Sequence, residues 1–181
     1  MKTSSGLSYR QSTRLRDFDY AGGGSYYVTI CSYERACTFS DVVAEKIELK
    51  EIGSIIEREW IATPMIRPGV ILDSYVVMPN HMHLTFYSPD SRDGSVGRAA
   101  TRPYTAPRSL SSIIGQFKST VTRAVRRLYG KPDLEVWQRG FYDHVIRDNR
   151  DLERIREYIR TNPLRWAFDR ENPAMRGLYK P

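Results

Sequence analysis

Two of the three histidines in this 181-residue chain, His81 and His83, stand one residue apart in the stretch VVMPNHMHLTFY. An imidazole can ligate a metal or move a proton near neutral pH, so what stands beside the pair decides its chemistry. In an extended segment side chains alternate. His81, His83, Thr85 and Tyr87 then share one face, and Met82, Leu84 and Phe86 share the other, which is the natural core face. Residues two apart on a strand lie about 7 Å apart at the backbone, close enough for both rings to converge on one metal ion. A surface pair, or rings bonded to nearby backbone, fits the same spacing.

Three enzyme patterns use such a pair. Nucleotide hydrolases of the histidine-triad type need a further histidine where this chain has Thr85. Phosphoesterases with two H-x-T/S motifs find one half in His83-Leu84-Thr85, but His144 is followed by Val145 and Ile146. In the H-hydrophobe-H motif of single-strand DNA nucleases, the histidines bind a divalent metal and a separate tyrosine attacks DNA. That pattern calls for a helix bearing a tyrosine and another ligand. DNRDLERIREYIRTNP (148–163) has an apolar stripe of Leu152, Ile155 and Ile159, with Tyr158 at its edge and Asn162 four residues on. Positions i and i+4 lie on one helical face, so phenol and amide can enter one site.

Other elements must bring these residues together. SYYVTICSY (25–33) reads as a strand rich in β-branched and aromatic residues. The segment 40–63 opens with Ser40-Asp41 as cap candidates and places Val43, Ile47, Ile52, Ile55, Ile56 and Trp60 at roughly helical spacing, which predicts one amphipathic helix. VILDSYVVM (70–78) and HMHLTFY (81–87) read as antiparallel strands around a Pro79-Asn80 turn. Residues 88–108, rich in Ser, Gly, Pro and Arg, read as a long exposed, flexible loop. A helix follows over 109–130 with a glycine stop, then a strand over 135–147 and the tyrosine helix, ending at Asn162-Pro163. The order β-α-β-β-α-β-α predicts an α+β fold: a ferredoxin-like (RRM-like) split β-α-β with one antiparallel sheet, helices on one face and an extra C-terminal catalytic helix. The expected organisation is a basic arm (1–20), a single domain (21–168) and a tail (169–181).

Lys and Arg number 28 against 21 Asp and Glu, a net charge of +7 that favours a polyanionic partner. No apolar run approaches the roughly 18–20 residues of a membrane span, and the first residues lack the apolar core of a secretory signal. Two cysteines, Cys31 and Cys37, suit free thiols in a reducing cytoplasm. Lys118, Arg123, Arg126 and Arg127 along the second helix, and Arg139, are candidate backbone contacts for nucleic acid. Tyr75 and Tyr87 are candidates for base stacking, Trp137 reads as packing and His144 as structural.

Four stretches, DFDYAGGGSYYVTICSYER, VVMPNHMHLTF, WQRGFYDHVIRD and YIRTNPLRWA, occur in the order found in the REP-associated tyrosine transposases, members of the H-hydrophobe-H endonuclease superfamily. The chain resembles that family over roughly residues 14–168. The resemblance implies that His81, His83 and Asn162 bind Mg²⁺ or Mn²⁺, and that Tyr158 is the nucleophile that joins the 5′ phosphate of cleaved single-stranded DNA. It implies that the arm, with Arg14 and Arg16, helps read DNA beside a palindromic hairpin, although the family's glycine-arginine arm motif is not clear here. It also implies a cytoplasmic, nucleoid-associated protein, monomeric or homodimeric, with no membrane partner. Catalytically silent hairpin binding on the same fold, and an RNA-binding module of RRM-like topology, are the alternatives. The second wants aromatics on adjacent central strands, where this chain has histidines.

Overall fold

The computed structural model describes residues 23–89 and 109–175. The arm with Arg14 and Arg16 lies outside the described residues, as does most of the 88–108 loop. Among the described residues six strands are present: β1 (Gly24–Cys31), β2 (Ser40–Val43), β3 (Lys46–Leu49), β4 (Ile71–Val77), β5 (His81–Ser88) and β6 (Tyr142–Ile146). The α-helices are α1 (Glu51–Ile61), the single turn α2 (Thr63–Ile66), α3 (Leu110–Tyr129) and α4 (Asn149–Arg165). β4, β5, β1 and β6 form one antiparallel sheet in that order, the strand order of a ferredoxin-like split β-α-β.

Alternation along β1 and β5 sorts the sheet into two faces. Tyr26, Val28, Ile30, Met82, Leu84 and Phe86 turn inward and pack against Ile55, Ile56 and Trp60 of α1 and Ile113, Ile114, Phe117 and Val121 of α3. The Trp60 ring meets Phe86 and Phe117 edge-on at 5.6 and 5.3 Å. Each such fully buried side chain contributes roughly 1.5–3 kcal/mol, so this layer supplies the main stabilisation. The opposite face carries the histidines and is covered by α4, where Ile155 and Ile159 pack on Ile146 with Tyr27, Val76 and Leu152 around them. The expected stripe on the tyrosine helix therefore does the covering.

Local signals set the helix ends. α3 starts where Ser109 accepts a hydrogen bond from the Ser112 amide and stops at Gly130, whose φ of 61° is the left-handed turn glycine tolerates best. α4 starts where the Asp148 side chain accepts from the Asp151 amide.

Three expectations need correction. The segment 40–63 is not one helix: its first part is the β2–β3 hairpin, turning through Ala44 and Glu45 at φ of 47° and 63°. Val43 and Ile47 are spaced to suit either period, and here the hairpin wins. The strand expected over 135–147 is confined to β6, with Trp137 making only an isolated bridge to Ser32. α4 does not end at Asn162-Pro163; Pro163 lies inside it and the helix runs on to Arg165. Proline removes one intrahelical donor at this point, but its fixed φ is itself helical, so the chain can continue.

Candidate active site

β5 begins at His81, and both imidazoles are nearly inaccessible, His81 2% and His83 5% exposed. Their Nε2 atoms face each other at 3.0 Å. Asn80 fixes the first ring. Its amide nitrogen donates to the carbonyls of Glu171 (2.7 Å) and Arg35 (3.2 Å), so its Oδ1, 2.8 Å from His81 Nδ1, must be an acceptor. His81 therefore carries its proton on Nδ1 and presents a lone pair at Nε2.

β1 orders the second ring, because its register sets Thr29 opposite His83 and Tyr27 opposite Thr85. The Tyr27 hydroxyl lies 2.8 Å from His83 Nδ1 and Thr29 Oγ1 lies 2.9 Å away, while Thr29 also donates to Tyr27 at 3.1 Å. Tyr27 stacks on the imidazole at 5.6 Å. With His81 Nε2 bare, the neutral pair is satisfied when His83 Nε2–H donates to it and Nδ1 accepts from a hydroxyl. For both rings to present lone pairs, the His83 proton must move to Nδ1, where either hydroxyl oxygen can accept it.

Burial, aided for His83 by its neighbour His81, keeps both rings neutral. His81 is lowered to about 4, with Asp169 opposing and Arg35 reinforcing the shift, and His83 goes well below its ordinary value. Neutral imidazoles are the form that binds metals.

α4 brings the remaining parts. The Tyr158 hydroxyl lies 3.5 Å from His83 Nε2 with the rings 5.2 Å apart, and the residue is 40% exposed. Burial and nearby Asp169 raise its phenol, while a hydrogen bond from Asn162 and the charge of Arg165 pull the other way. The side chain is thus a protonated phenol at neutral pH. Asn162 is 1% exposed, and its Oδ1 is buried with no hydrogen-bond partner.

Two neutral imidazoles, and an orphaned amide oxygen on the helix that brings Tyr158 to them, fit a divalent cation. The nitrogen separation of 3.0 Å is close to what adjacent octahedral ligands at about 2.0–2.1 Å require. Among the described residues no group of three or more His, Cys, Asp or Glu side chains is disposed to hold a metal. This set of two imidazoles and one amide therefore stands without carboxylates, and leaves positions for substrate oxygen and water.

Two ties hold α4 on the sheet. A bulge in β4 sets Asp73 and Ser74 opposite the single residue Thr85, whose hydroxyl donates to Asp73 Oδ2 and accepts from the Ser74 amide, both at 2.9 Å. The bulge offers the Asp73 carboxylate to Arg156 of α4. At the other sheet edge His144 of β6 bonds Asp151 at 2.7 Å, the structural role expected of it.

The expected DNA contacts lie elsewhere. Lys118, Arg123, Arg126 and Arg139 line an open groove of about 850 Å³ along α3 and residues 135–140, on the far side of the sheet from α4. Two of these side chains brace the fold. Lys118 Nζ donates to the carbonyls of Gln138 (2.7 Å) and Gly140 (2.8 Å), and burial lowers its ammonium to about 8. Arg126 donates to the Leu134 carbonyl at 3.0 Å. Arg123, Arg127 and Arg139 are exposed. Trp137 is buried against Phe39 and Phe117, as its packing role requires. Tyr75 bonds Glu57 at 3.1 Å.

Sequence reading passed over Asn80, Tyr27, Thr29 and Asp73. Asn80 was visible only as a turn residue. Tyr27 and Thr29 carry one available signal: their parity sets them opposite the core face of β1.

No family model matches the chain. An uncharacterised protein of Haemophilus influenzae is 32% identical over 174 residues, covering 93% of this chain and 96% of the relative. A second protein of the same organism, provisionally named a REP-associated tyrosine transposase, is 26% identical over 152 residues, 83% of this chain and 76% of that one. The solved structure of a REP-associated tyrosine transposase bound to a REP hairpin superposes with a TM-score of 0.59 at 22% identity, covering 92% of this chain and 88% of that one; this likeness is one of fold. The chain is thus similar in sequence to a provisionally named REP-associated tyrosine transposase and shares the fold of a second.

Proposed function

We propose that the protein is a metal-dependent single-stranded DNA endonuclease and strand transferase that acts on hairpin DNA through a 5′-phosphotyrosine intermediate. The observation that carries this reading is that α4 sets the Tyr158 hydroxyl 3.5 Å from His83 Nε2, across some 75 residues of sequence, with the unpartnered Asn162 amide oxygen four residues further along the same helix. The name of the superposed neighbour, bound to a REP hairpin, supports hairpin DNA as the substrate class.

His81, His83 and Asn162 would hold Mg²⁺ or Mn²⁺. Such an ion supplies Lewis-acid stabilisation of charge on the phosphate oxygens. Tyr158 Oη attacks phosphorus and loses its proton; the bond from phosphorus to the 3′ oxygen breaks, and that oxygen leaves as a hydroxyl. Because the phenol is held protonated, it must lose its proton as it attacks. The phosphotyrosine link retains the bond energy, so a 3′ hydroxyl can reverse the step without a nucleotide cofactor.

The test is incubation with labelled single-stranded DNA containing a hairpin, with Mn²⁺ or Mg²⁺, followed by a search for a denaturation-resistant adduct. The expected adduct disappears in Tyr158→Phe and on chelation. An adduct that persists in Tyr158→Phe removes the nucleophile assignment, and no adduct on any hairpin leaves hairpin binding alone.

A further inference from the structure

A cleft of about 450 Å³ opens beside Tyr158, between α4 and the β1–β6 edge of the sheet. Tyr27, Tyr142, His144 and Tyr158 line it together with the charged Arg154, Glu157 and Arg165. Its size is in the range of small-ligand pockets. Two of its aromatic side chains are open to solvent: Tyr142, on the edge strand β6, is 49% exposed and Tyr158, on α4, 40%. Tyr27 holds these two rings apart. It meets Tyr142 at 6.4 Å and 70°, and Tyr158 at 6.4 Å and 90°, so neither collapses onto the other.

The sheet register places this cleft relative to the chemistry. Tyr142 pairs with Thr29, and Thr29 pairs with His83, so all three lie in one row across the sheet. Two strand spacings put Tyr142 about 10 Å from His83 at the backbone. That is a nucleotide's reach from the phosphate assigned to Tyr158. Arg154 is paired with Asp151 and Glu157 with Arg160, so Arg165 is the lining charge left to meet a phosphate, and a nucleobase stacks on an exposed aromatic ring whatever its sequence.

We infer that the cleft receives one unpaired nucleobase of the DNA strand next to the phosphate under attack, stacked on Tyr142. The inference rests on the nuclease reading above for the position of that phosphate. Stacking here fixes the strand on one side of Tyr158, with Tyr142 as a binding residue and Tyr27 as the spacer that keeps the pocket open.

The test uses the full chain carrying Tyr158→Phe, so that binding is read without cleavage. The probe is a DNA stem-loop with an oligothymidine tail in which single thymidines are replaced in turn by 5-iodouridine. Near-ultraviolet irradiation is expected to join one tail position to Tyr142, read by mass spectrometry on the tryptic peptide of residues 140–147. Tyr142→Ala is expected to weaken binding roughly tenfold or more, and Tyr142→Phe to stay within about twofold of the parent. Crosslinks that bypass this peptide, or a folded Tyr142→Ala that binds within about twofold of the parent, overturn the pocket. The parallel adduct assay on the parent chain separates the two readings. A crosslink at Tyr142 without any adduct keeps the pocket and removes the nuclease reading; adducts with neither crosslink nor effect of Tyr142→Ala do the reverse.

Discussion

Arg156 lays its guanidinium across the Asp73 carboxylate, with Nη2 2.7 Å from Oδ1 and Nε 3.0 Å from Oδ2, and so ties the tyrosine helix to the strand beside the histidines. Both partners are partly exposed, so the pair contributes little to global stability. Its effect is on position. Asp73→Asn is expected to shift the melting temperature by no more than about 3 °C while slowing adduct formation severalfold. Restoration by the exchange Asp73→Arg with Arg156→Asp separates tethering from simple destabilisation. If Asp73→Asn matches the parent rate, the clasp has no part in the chemistry.

Asn162 gives a prediction of opposite signs. A buried acceptor without a partner costs about 1–3 kcal/mol, and Asn162 Oδ1 is such an acceptor. In the absence of divalent metal, Asn162→Leu is expected to melt at the same temperature as the parent or a few degrees higher. It is also expected to lose Mn²⁺ binding, read by calorimetry. Unchanged Mn²⁺ affinity in Asn162→Leu would remove the amide from the ligand set.

The Tyr27 and Thr29 hydroxyls decide which nitrogen of His83 carries its proton. Partners of this kind typically change metal affinity by about 10- to 100-fold. Thr29→Val leaves Tyr27 in place and is expected to have the smaller effect; Tyr27→Phe combined with Thr29→Val strips Nδ1 of both oxygens. An Mn²⁺ titration of the parent, the single and the double variant is expected to show affinity falling in that order. Equal affinities across the set contradict the assignment.

Acid is expected to weaken the chelator-treated protein in a defined window. An unfolded histidine titrates near 6.5, whereas burial keeps His81 neutral down to about 4 and His83 at least as reluctant to charge. Between those pH values the unfolded chain binds protons that the native state refuses, so stability falls as pH falls from 6.5 towards 4. The His81 contribution is on the order of 3 kcal/mol. Urea unfolding at pH 7, 5.5 and 4.5 measures it, and His81→Leu is expected to flatten the slope. A slope as steep in His81→Leu as in the parent points to other groups.

Much of the frame can be read from residue order alone. The parity of His81 and His83 against Met82, Leu84 and Phe86, the glycine stop at Gly130, and the stripe of Leu152, Ile155 and Ile159 are local signals, and the fold keeps them all. What escapes is non-local. Asn80 becomes the orienter of His81 only because carbonyls at residues 35 and 171 fix its amide. Tyr27 and Thr29 reach His83 through strand register, and Asp73 reaches Arg156 because a bulge turns it outward. The β2–β3 hairpin escaped for a different reason: its short apolar runs satisfy helical and extended periods alike.

The candidate site draws on distant parts of the sequence, with consequences for assembly. Residues 23–89 carry His81, His83, Tyr27, Thr29 and Asp73, while residues 109–175 carry Tyr158, Asn162 and Arg156. Neither stretch holds both the imidazole pair and the tyrosine. Under the proposed chemistry each half is mute alone, and a covalent DNA adduct becomes a reporter that the two have found each other. Fragment complementation between a piece that ends after β5 and one that begins before α3 would read that dependence directly.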